Sequence, residues 1–363
     1  MFNFLSKLIF FWKKTKLIVV AGSSRQTTSE AIFQVLKNHF RVEKISRKFS
    51  PRTILKNKVL IFEAALQQIN ELEWFVKKSR LPILVVTNVG DIPPDKNFFA
   101  GEMEETKEIT KLAESLPRHG YLILNFDDET VRELKNKTRA HPLTFGFQER
   151  ADFGATDVVL TQFPSFGTNF KINYQGNIVP VWLKNLFGKE QIYSSLAGIA
   201  AATVIDLNLV EISQALRDWQ GLSGKMRLIG GIKNSWILDD SESATVFSMA
   251  EAIEILGKIE GFNRKIAVLG DVIGIGQYAI EAHEAIGERV ARAADLLFTF
   301  GLRAKFIAKG AFEKGMSQEK IFQFNTVDEG KLKLQNEIRE GDLILVDGSK
   351  EIKMGKIIEE IKA

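Results

Sequence analysis

The chain has 363 residues, which is comfortable for two domains and long for one. Charged residues make up 26% and hydrophobic residues 45%, so the chain is globular, and a net charge of +4 argues against an extended nucleic-acid groove. There is no cysteine, which excludes disulfides, thiolate zinc sites and thiol nucleophiles; the four histidines (His39, His119, His141, His283) are scattered without metal-ligand spacing.

The first sixteen residues stand apart. Phe2, Phe4, Leu5 and the run from Leu8 to Trp12 precede Lys13, Lys14 and Lys16. The run is too short to span a bilayer, and no small-residue cleavage site follows it. It predicts an aromatic amphipathic helix over 1–16. That helix either packs on the domain behind it or lies in a membrane interface with its lysines on headgroups. The expected location is cytoplasmic, with peripheral membrane contact through this segment.

Apolar runs at 17–22, 59–64, 83–88 and 121–126 alternate with helical stretches and suit a parallel sheet buried on both faces. From 157 to 183 the texture changes to short alternating segments, with Gly167 and Gln175-Gly176-Asn177 as turns, which predicts antiparallel hairpins. Residues 190–219 read as helical. Residues 220–224 are the linker candidate. Beyond it, strands at 236–240, 265–270, 296–301, 321–325 and 343–347 alternate with helices at 245–258 and 278–294, the pattern of a doubly wound sheet.

The most informative segment follows the first strand: Gly22-Ser23-Ser24-Arg25-Gln26-Thr27-Thr28. A strand, a glycine turn and a helix start are where a phosphate-binding loop sits. The pattern G-x-x-x-x-G-K-[ST] places a lysine where this chain has Gln26 and a glycine where it has Arg25. Arg25 could return the lost charge from the neighbouring position. The alternative is a turn that has kept its shape without its ligand. Asp127-Asp128 read most simply as a turn and helix cap.

Further fragments join this loop in order: Phe62-Glu63-Ala64, Thr87-Asn88-Val89-Gly90-Asp91, Asn125-Phe126-Asp127-Asp128 and Thr144-Phe145-Gly146. The second half adds Gly224-Lys225-Met226, Asp239-Asp240-Ser241, Gly270-Asp271, Glu281-Ala282-His283 and Asp347-Gly348-Ser349-Lys350. In this order and spacing the chain resembles the Mur ligases, and within them the branch that joins D-alanyl-D-alanine to a UDP-muramoyl peptide. The resemblance covers about residues 17–363. It implies an α/β fold: a P-loop-type, ATPase-like central domain over 17–222, then a Rossmann-like C-terminal domain over 223–363.

The resemblance also implies ATP and magnesium as cofactors. Gly22, Ser23, Ser24, Arg25, Gln26, Thr27, Thr28 and Asn88 would line the nucleotide, and Thr27 and Glu63 would hold magnesium. Hard oxygen ligands suit that ion, although Glu63 reads equally well as a solvated carboxylate at a strand end. Candidate catalytic residues are Lys107, His283, Asp239 and Asp240. Asp239 and Asp240 end a strand, where open α/β sheets place ligands. His283 is either a substrate contact or a histidine bonded within its own domain.

The departures fall on chemistry. The loop lysine is Gln26. The family's carbamylated lysine aligns with Ile109 from one side and with Lys107 from the other. Pro93-Pro94 stand where a histidine is expected. The adenine-holding His-Asn-x-x-Asn reads Glu190-Gln191-Ile192-Tyr193-Ser194, and the lysine before Gly-Ser is Asp347. A domain gripping UDP is not evident ahead of the loop. Two functions follow. One is a catalytically degenerate homologue that binds a cell-wall precursor or another cell-wall enzyme, with no nucleic acid partner. The other is a divergent ATP-dependent ligase joining a D-alanyl-D-alanine-like amine to a UDP-muramoyl peptide carboxylate.

Overall fold

The computed structural model describes residues 4–13, 15–47, 50–65, 68–89, 100–162 and 165–363; residues 1–3, Lys14 and Pro93-Pro94 lie outside them. The chain divides into two units. The first comprises Met1–Val159, Asn169–Leu183 and Lys189–Trp219; the second comprises Leu160–Thr168, Lys184–Gly188 and Gln220–Ala363. A single break near 222 misses the two short stretches before it that join the second unit.

In the first unit, α1 (Phe4–Lys13) leads into β1 (Lys16–Ala21), α2 (Arg25–Leu36), β2 (Val42–Ile45), α3 (Pro51–Lys56) and β3 (Val59–Glu63). Then come α4 (Ile69–Lys78), β4 (Pro82–Val86), α5 (Ala100–Glu114), β5 (Tyr121–Asn125), α6 (Glu129–Arg132) and β6 (His141–Gly146). Strands β7 (Phe153–Thr161), β8 (Gly167–Tyr174) and β9 (Asn177–Lys184) precede α7 (Lys189–Val204) and α8 (Leu209–Arg217).

The sheet order is β2-β3-β1-β4-β5-β6-β7-β8-β9. The strands from β2 to β7 run parallel. Gln175 and Gly176 both have positive φ, 48° and 80°, and make the two-residue hairpin turn between β8 and β9. Strand β1, between β3 and β4, is buried on both faces. Leu17, Val19 and Ala21 join the core beneath α1, α4 and α5, while Ile18 and Val20 are equally buried on the other side. This is why the strand reads as an unbroken apolar run. The edge strand β2, Val-Glu-Lys-Ile, is only partly buried and carries no such signal.

Helix α1 is docked on this unit. Phe10 is fully buried in the core and meets Phe75 edge to face at 5.1 Å and 85°. Lys7 Nζ lies 5.4 Å over the Trp74 ring. Lys13 Nζ donates to the Ile54 carbonyl at 2.7 Å and also to the Leu55 carbonyl, tying the end of α1 to the last turn of α3.

The second unit holds β10 (Arg227–Gly230), β11 (Trp236–Asp240), α9 (Val246–Lys258), β12 (Arg264–Gly270), α10 (Ala279–Ala293), β13 (Leu296–Phe300) and α11 (Ala304–Glu313). It ends with β14 (Ile321–Phe324), α12 (Val327–Glu337), β15 (Asp342–Asp347) and α13 (Gly355–Ile361). The order is β10-β11-β15-β12-β13-β14, parallel except for β10, which pairs antiparallel with β11. Leu238, Leu269, Leu297 and Leu345 face one helical layer; Ile237, Val268, Phe298 and Val346 face the other. This is the expected doubly wound arrangement, with helices on both faces. A Cβ at Gly287 would sit 2.0 Å from the Ile307 carbonyl oxygen, so α10 and α11 cross at backbone contact there.

Candidate functional site

The loop between β1 and α2 is built by Gly22. Its φ is 103°, and a Cβ there would lie 2.4 Å from Thr87 Oγ1 and 2.7 Å from the Asn88 carbonyl oxygen. Only glycine lets the loop close on the end of β4. Asn88 then pins it. Its carbonyl accepts from the Ser23 N–H at 2.9 Å and from the Ser23 hydroxyl at 3.0 Å. Its side-chain oxygen accepts from the Ser24 hydroxyl at 3.1 Å.

The charge question at this loop has a geometric answer. Gln26, in the lysine position, is exposed and neutral. The guanidinium of Arg25 turns back on its own loop and donates to the Gly22 carbonyl at 3.2 Å. It does not replace a lysine reaching forward.

The hydroxyls lead to residues outside the loop. Thr27 Oγ1 donates to Glu190 Oε1 at 2.6 Å, and Thr28 Oγ1 shares a hydrogen bond with Ser194 Oγ at 3.0 Å. Ser29 donates to Glu63 at the end of β3. Glu190 and Ser194 occupy the His-Asn-x-x-Asn segment at the start of α7. Between them, Tyr193 donates to Asp127 Oδ2 at 2.9 Å and packs on Phe147 at 4.9 Å. This segment therefore braces the loop. Asp128 caps α6 through Val131 N–H at 3.0 Å, as the sequence suggests, and also accepts from Val89 N–H at 3.0 Å.

A magnesium ion bound with phosphates commonly uses only one or two protein oxygens. Thr27 and Glu63 supply oxygens of the right kind. Thr27 spends its proton on Glu190 and keeps its lone pairs. Among the described residues, no group of three or more histidine or acidic side chains could hold a metal unaided. The donor set fits magnesium carried by a phosphate ligand. Among the described residues, the lysine position of the loop offers such a phosphate no cation: Gln26 is neutral and Arg25 is turned onto the Gly22 carbonyl.

The other sequence-predicted residues have defined places. Lys107 is exposed on α5, whereas Ile109, two residues on, is fully buried in the core. In a helix these two positions point to opposite sides. Asp239 in the second unit accepts from the Gly224 N–H at 2.8 Å and from the Ser241 hydroxyl at 2.7 Å. Asp240 accepts from the Met226 N–H at 3.2 Å. Both aspartates thereby hold the segment 224–226.

His283 is fully buried. Its Nε2 accepts from the Val272 N–H at 3.1 Å, so Nδ1 carries the proton and donates to the Ala279 carbonyl. Both ring nitrogens are used, and burial lowers the pKa. Of the two roles the sequence leaves open, this geometry favours a histidine bonded within its own domain, bracing the loop after β12.

Sequence reading missed the inward roles of Glu190 and Ser194, although the altered start of α7 was the available signal. It also missed the state of Asp347. This residue ends β15, in register with Asp240 on β11, and its carboxyl is fully buried, with no side chain among the described residues hydrogen-bonded to it. Burial raises its pKa well above the usual carboxylate range, against the opposing effects of the Gly348 N–H and of Lys225.

Comparison with known proteins agrees with this architecture. The Mur ligase middle domain matches residues 5–202, and the Mur ligase glutamate ligase domain matches 224–350. UDP-N-acetylmuramoyl-tripeptide–D-alanyl-D-alanine ligase of Bacillus subtilis strain 168 is 25% identical over 359 residues, covering 96% of this chain and 76% of that protein. A crystal structure of MurF from Acinetobacter baumannii superposes with a TM-score of 0.81 at 20% identity, covering 98% of this chain and 78% of that one. MurF ligase from Thermotoga maritima in complex with ADP gives 0.74 at 20% identity, covering 98% and 82%. With the loop after β1, the parallel sheet around it and the doubly wound second unit all in place, the chain belongs to the Mur ligase family and carries its middle domain followed by its glutamate ligase domain.

Proposed function

We propose that this chain is a Mur-ligase-fold protein of peptidoglycan precursor metabolism that binds a cell-wall precursor or another cell-wall enzyme and does not catalyse ligation. The observation that carries this reading is the loop itself: Gln26 is neutral and the Arg25 guanidinium is folded onto the Gly22 carbonyl. A unit charge about 4 Å from a phosphate is worth about 4 kcal/mol at an effective dielectric of about 20. Phosphoryl chemistry depends on such positioned charge. Glu190, hydrogen-bonded to Thr27, sets a carboxylate beside the loop hydroxyl in place of the histidine expected there.

The family's reaction activates a carboxylate with ATP, and an amine then displaces phosphate. The Bacillus subtilis relative is by name a D-alanyl-D-alanine ligase acting on a UDP-N-acetylmuramoyl tripeptide. The second reading, a divergent ligase of that kind, draws on Thr27 and Glu63, which keep oxygen donors suited to magnesium.

The test is a calorimetric titration of the full chain with ATP, with and without magnesium, followed by phosphate release in the presence of UDP-muramoyl tripeptide and D-alanyl-D-alanine. Weak nucleotide binding and no substrate-dependent phosphate are expected. Gln26→Lys alone should remain inactive, because the altered start of α7 stays in place. Phosphate release that requires both substrates would establish the ligase reading instead.

A further inference from the structure

Helix α1 carries a second apolar face. Its inner side is accounted for: Ser6 and Phe10 are buried, and Ile9 packs against the core. The opposite side is apolar as well. Phe4 is 80% exposed and Trp12 76%, with Leu5, Leu8 and Phe11 between 44% and 54%. With 3.6 residues per turn, these five fall within an arc of about 120°. A surface helix ordinarily turns polar residues to solvent. Here the solvent side is made of three aromatic rings and two leucines.

On the α3 side the rim of this face is basic. Neither α1 nor α3 contains an acidic residue. Leu55 on α3 is 58% exposed and lies beside the end of α1, because Lys13 bonds to its carbonyl. Arg52, Lys56 and Lys58 flank it and are exposed, and none of them forms an ion pair among the described residues. Among the described residues, no helix is long and apolar enough to cross a membrane. The docked position of α1 holds this face outward without any rearrangement.

We propose that this face is an interfacial anchor for an anionic lipid surface, with α1 lying flat and Phe4, Phe11 and Trp12 entering the boundary between headgroups and acyl chains. The chemistry fits. Aromatic residues favour that boundary, and cations at the rim meet anionic headgroups. A second copy of the chain is the poorer occupant, because a two-fold contact would bring two sets of like-charged rims together.

The test uses the full chain and vesicles of phosphatidylcholine, with or without 30% phosphatidylglycerol, read by co-sedimentation at about 0.1 M salt. The wild type should sediment with the anionic vesicles and remain largely in the supernatant with the neutral ones. The triple variant Phe4→Ser/Phe11→Ser/Trp12→Ser should lose at least about tenfold in partition, because burial of exposed apolar area drives binding. It should keep the wild-type circular dichroism and melting temperature, since all three side chains are exposed. Retained folding shows that the loss is one of surface. Two results overturn the proposal: a wild type that stays in the supernatant with anionic vesicles, or a folded triple variant that binds as well as the wild type. A wild-type dimer by light scattering that the variant converts to monomer, without vesicle binding, would assign the face to self-association and overturn the lipid proposal. None of these outcomes depends on nucleotide binding.

Discussion

Replacing Phe10 with alanine should destabilise the first unit strongly, although the residue lies in a segment that reads as a detachable tail. Phe10 is 0% exposed and sits in the core beside Phe75 at 5.1 Å and 85°. Truncating a fully buried phenylalanine costs about 3–5 kcal/mol through lost burial and the cavity left behind. The edge-to-face pairing accounts for about 0.5–1.5 kcal/mol of that. A domain has only about 5–15 kcal/mol in total. Phe10→Ala should therefore bring the first unit's urea transition to a markedly lower midpoint. The assay is urea unfolding of the full chain, followed by far-UV circular dichroism so that two transitions can be separated. The control is Trp12→Ala on the same helix. At 76% exposure, it should shift stability by no more than about 0.5 kcal/mol. If Phe10→Ala loses less than about 1 kcal/mol, or Trp12→Ala loses as much as Phe10→Ala, then α1 is not docked as described and the outward face loses its basis.

Two pH predictions concern the second unit. Burial lowers the His283 pKa below 6.5, so the native state holds that proton less tightly than the unfolded chain. The stability this residue contributes is present above pH 6.5 and lost as pH falls through the window beneath it. His283→Gln can both accept from Val272 and donate to Ala279, and its melting temperature should lack this acid-side decline; a decline identical to wild type would refute the assignment. Asp347 has the opposite sign: its raised pKa means that the native state holds the proton more tightly, so stability falls as pH rises above 3.8 towards the folded-state pKa. Asp347→Asn should melt higher than wild type at pH 7, with the difference narrowing towards pH 4, each unit of displacement being worth about 1.4 kcal/mol. A difference that widens towards pH 4 would show that Asp347 is charged in the folded protein.

Much of this architecture was legible from residue order. Unbroken apolar runs announce β1, β3, β4 and β5 because a parallel strand covered on both faces has no polar side to show. The loop at Gly22 was equally plain, since a glycine after a buried strand and before hydroxyl residues has few other uses. The strands of the second unit followed from the same texture. The edge strand β2 and the antiparallel β10 were not legible, because partly buried strands of four residues carry little pattern.

The site itself was decided by tertiary contacts. Sequence shows that Gln26 replaces a lysine and leaves Arg25 as a possible substitute; only the fold turns that guanidinium onto the Gly22 carbonyl. Glu190 and Ser194 lie more than 150 residues from the loop, and their hydrogen bonds with Thr27 and Thr28 exist only because α7 packs against α2; Tyr193 reaches Asp127 because α7 also packs on β5 and β6. The same holds for His283, whose ring is braced by backbone groups on either side of its helix start. It holds again for α1, where sequence offered a choice between core and lipid and the structure buried one apolar face and left the other exposed. Composition and periodicity report how much surface each segment must bury. Which partner a polar group finds depends on what the packed elements bring within about 3 Å of it, and no local pattern encodes that.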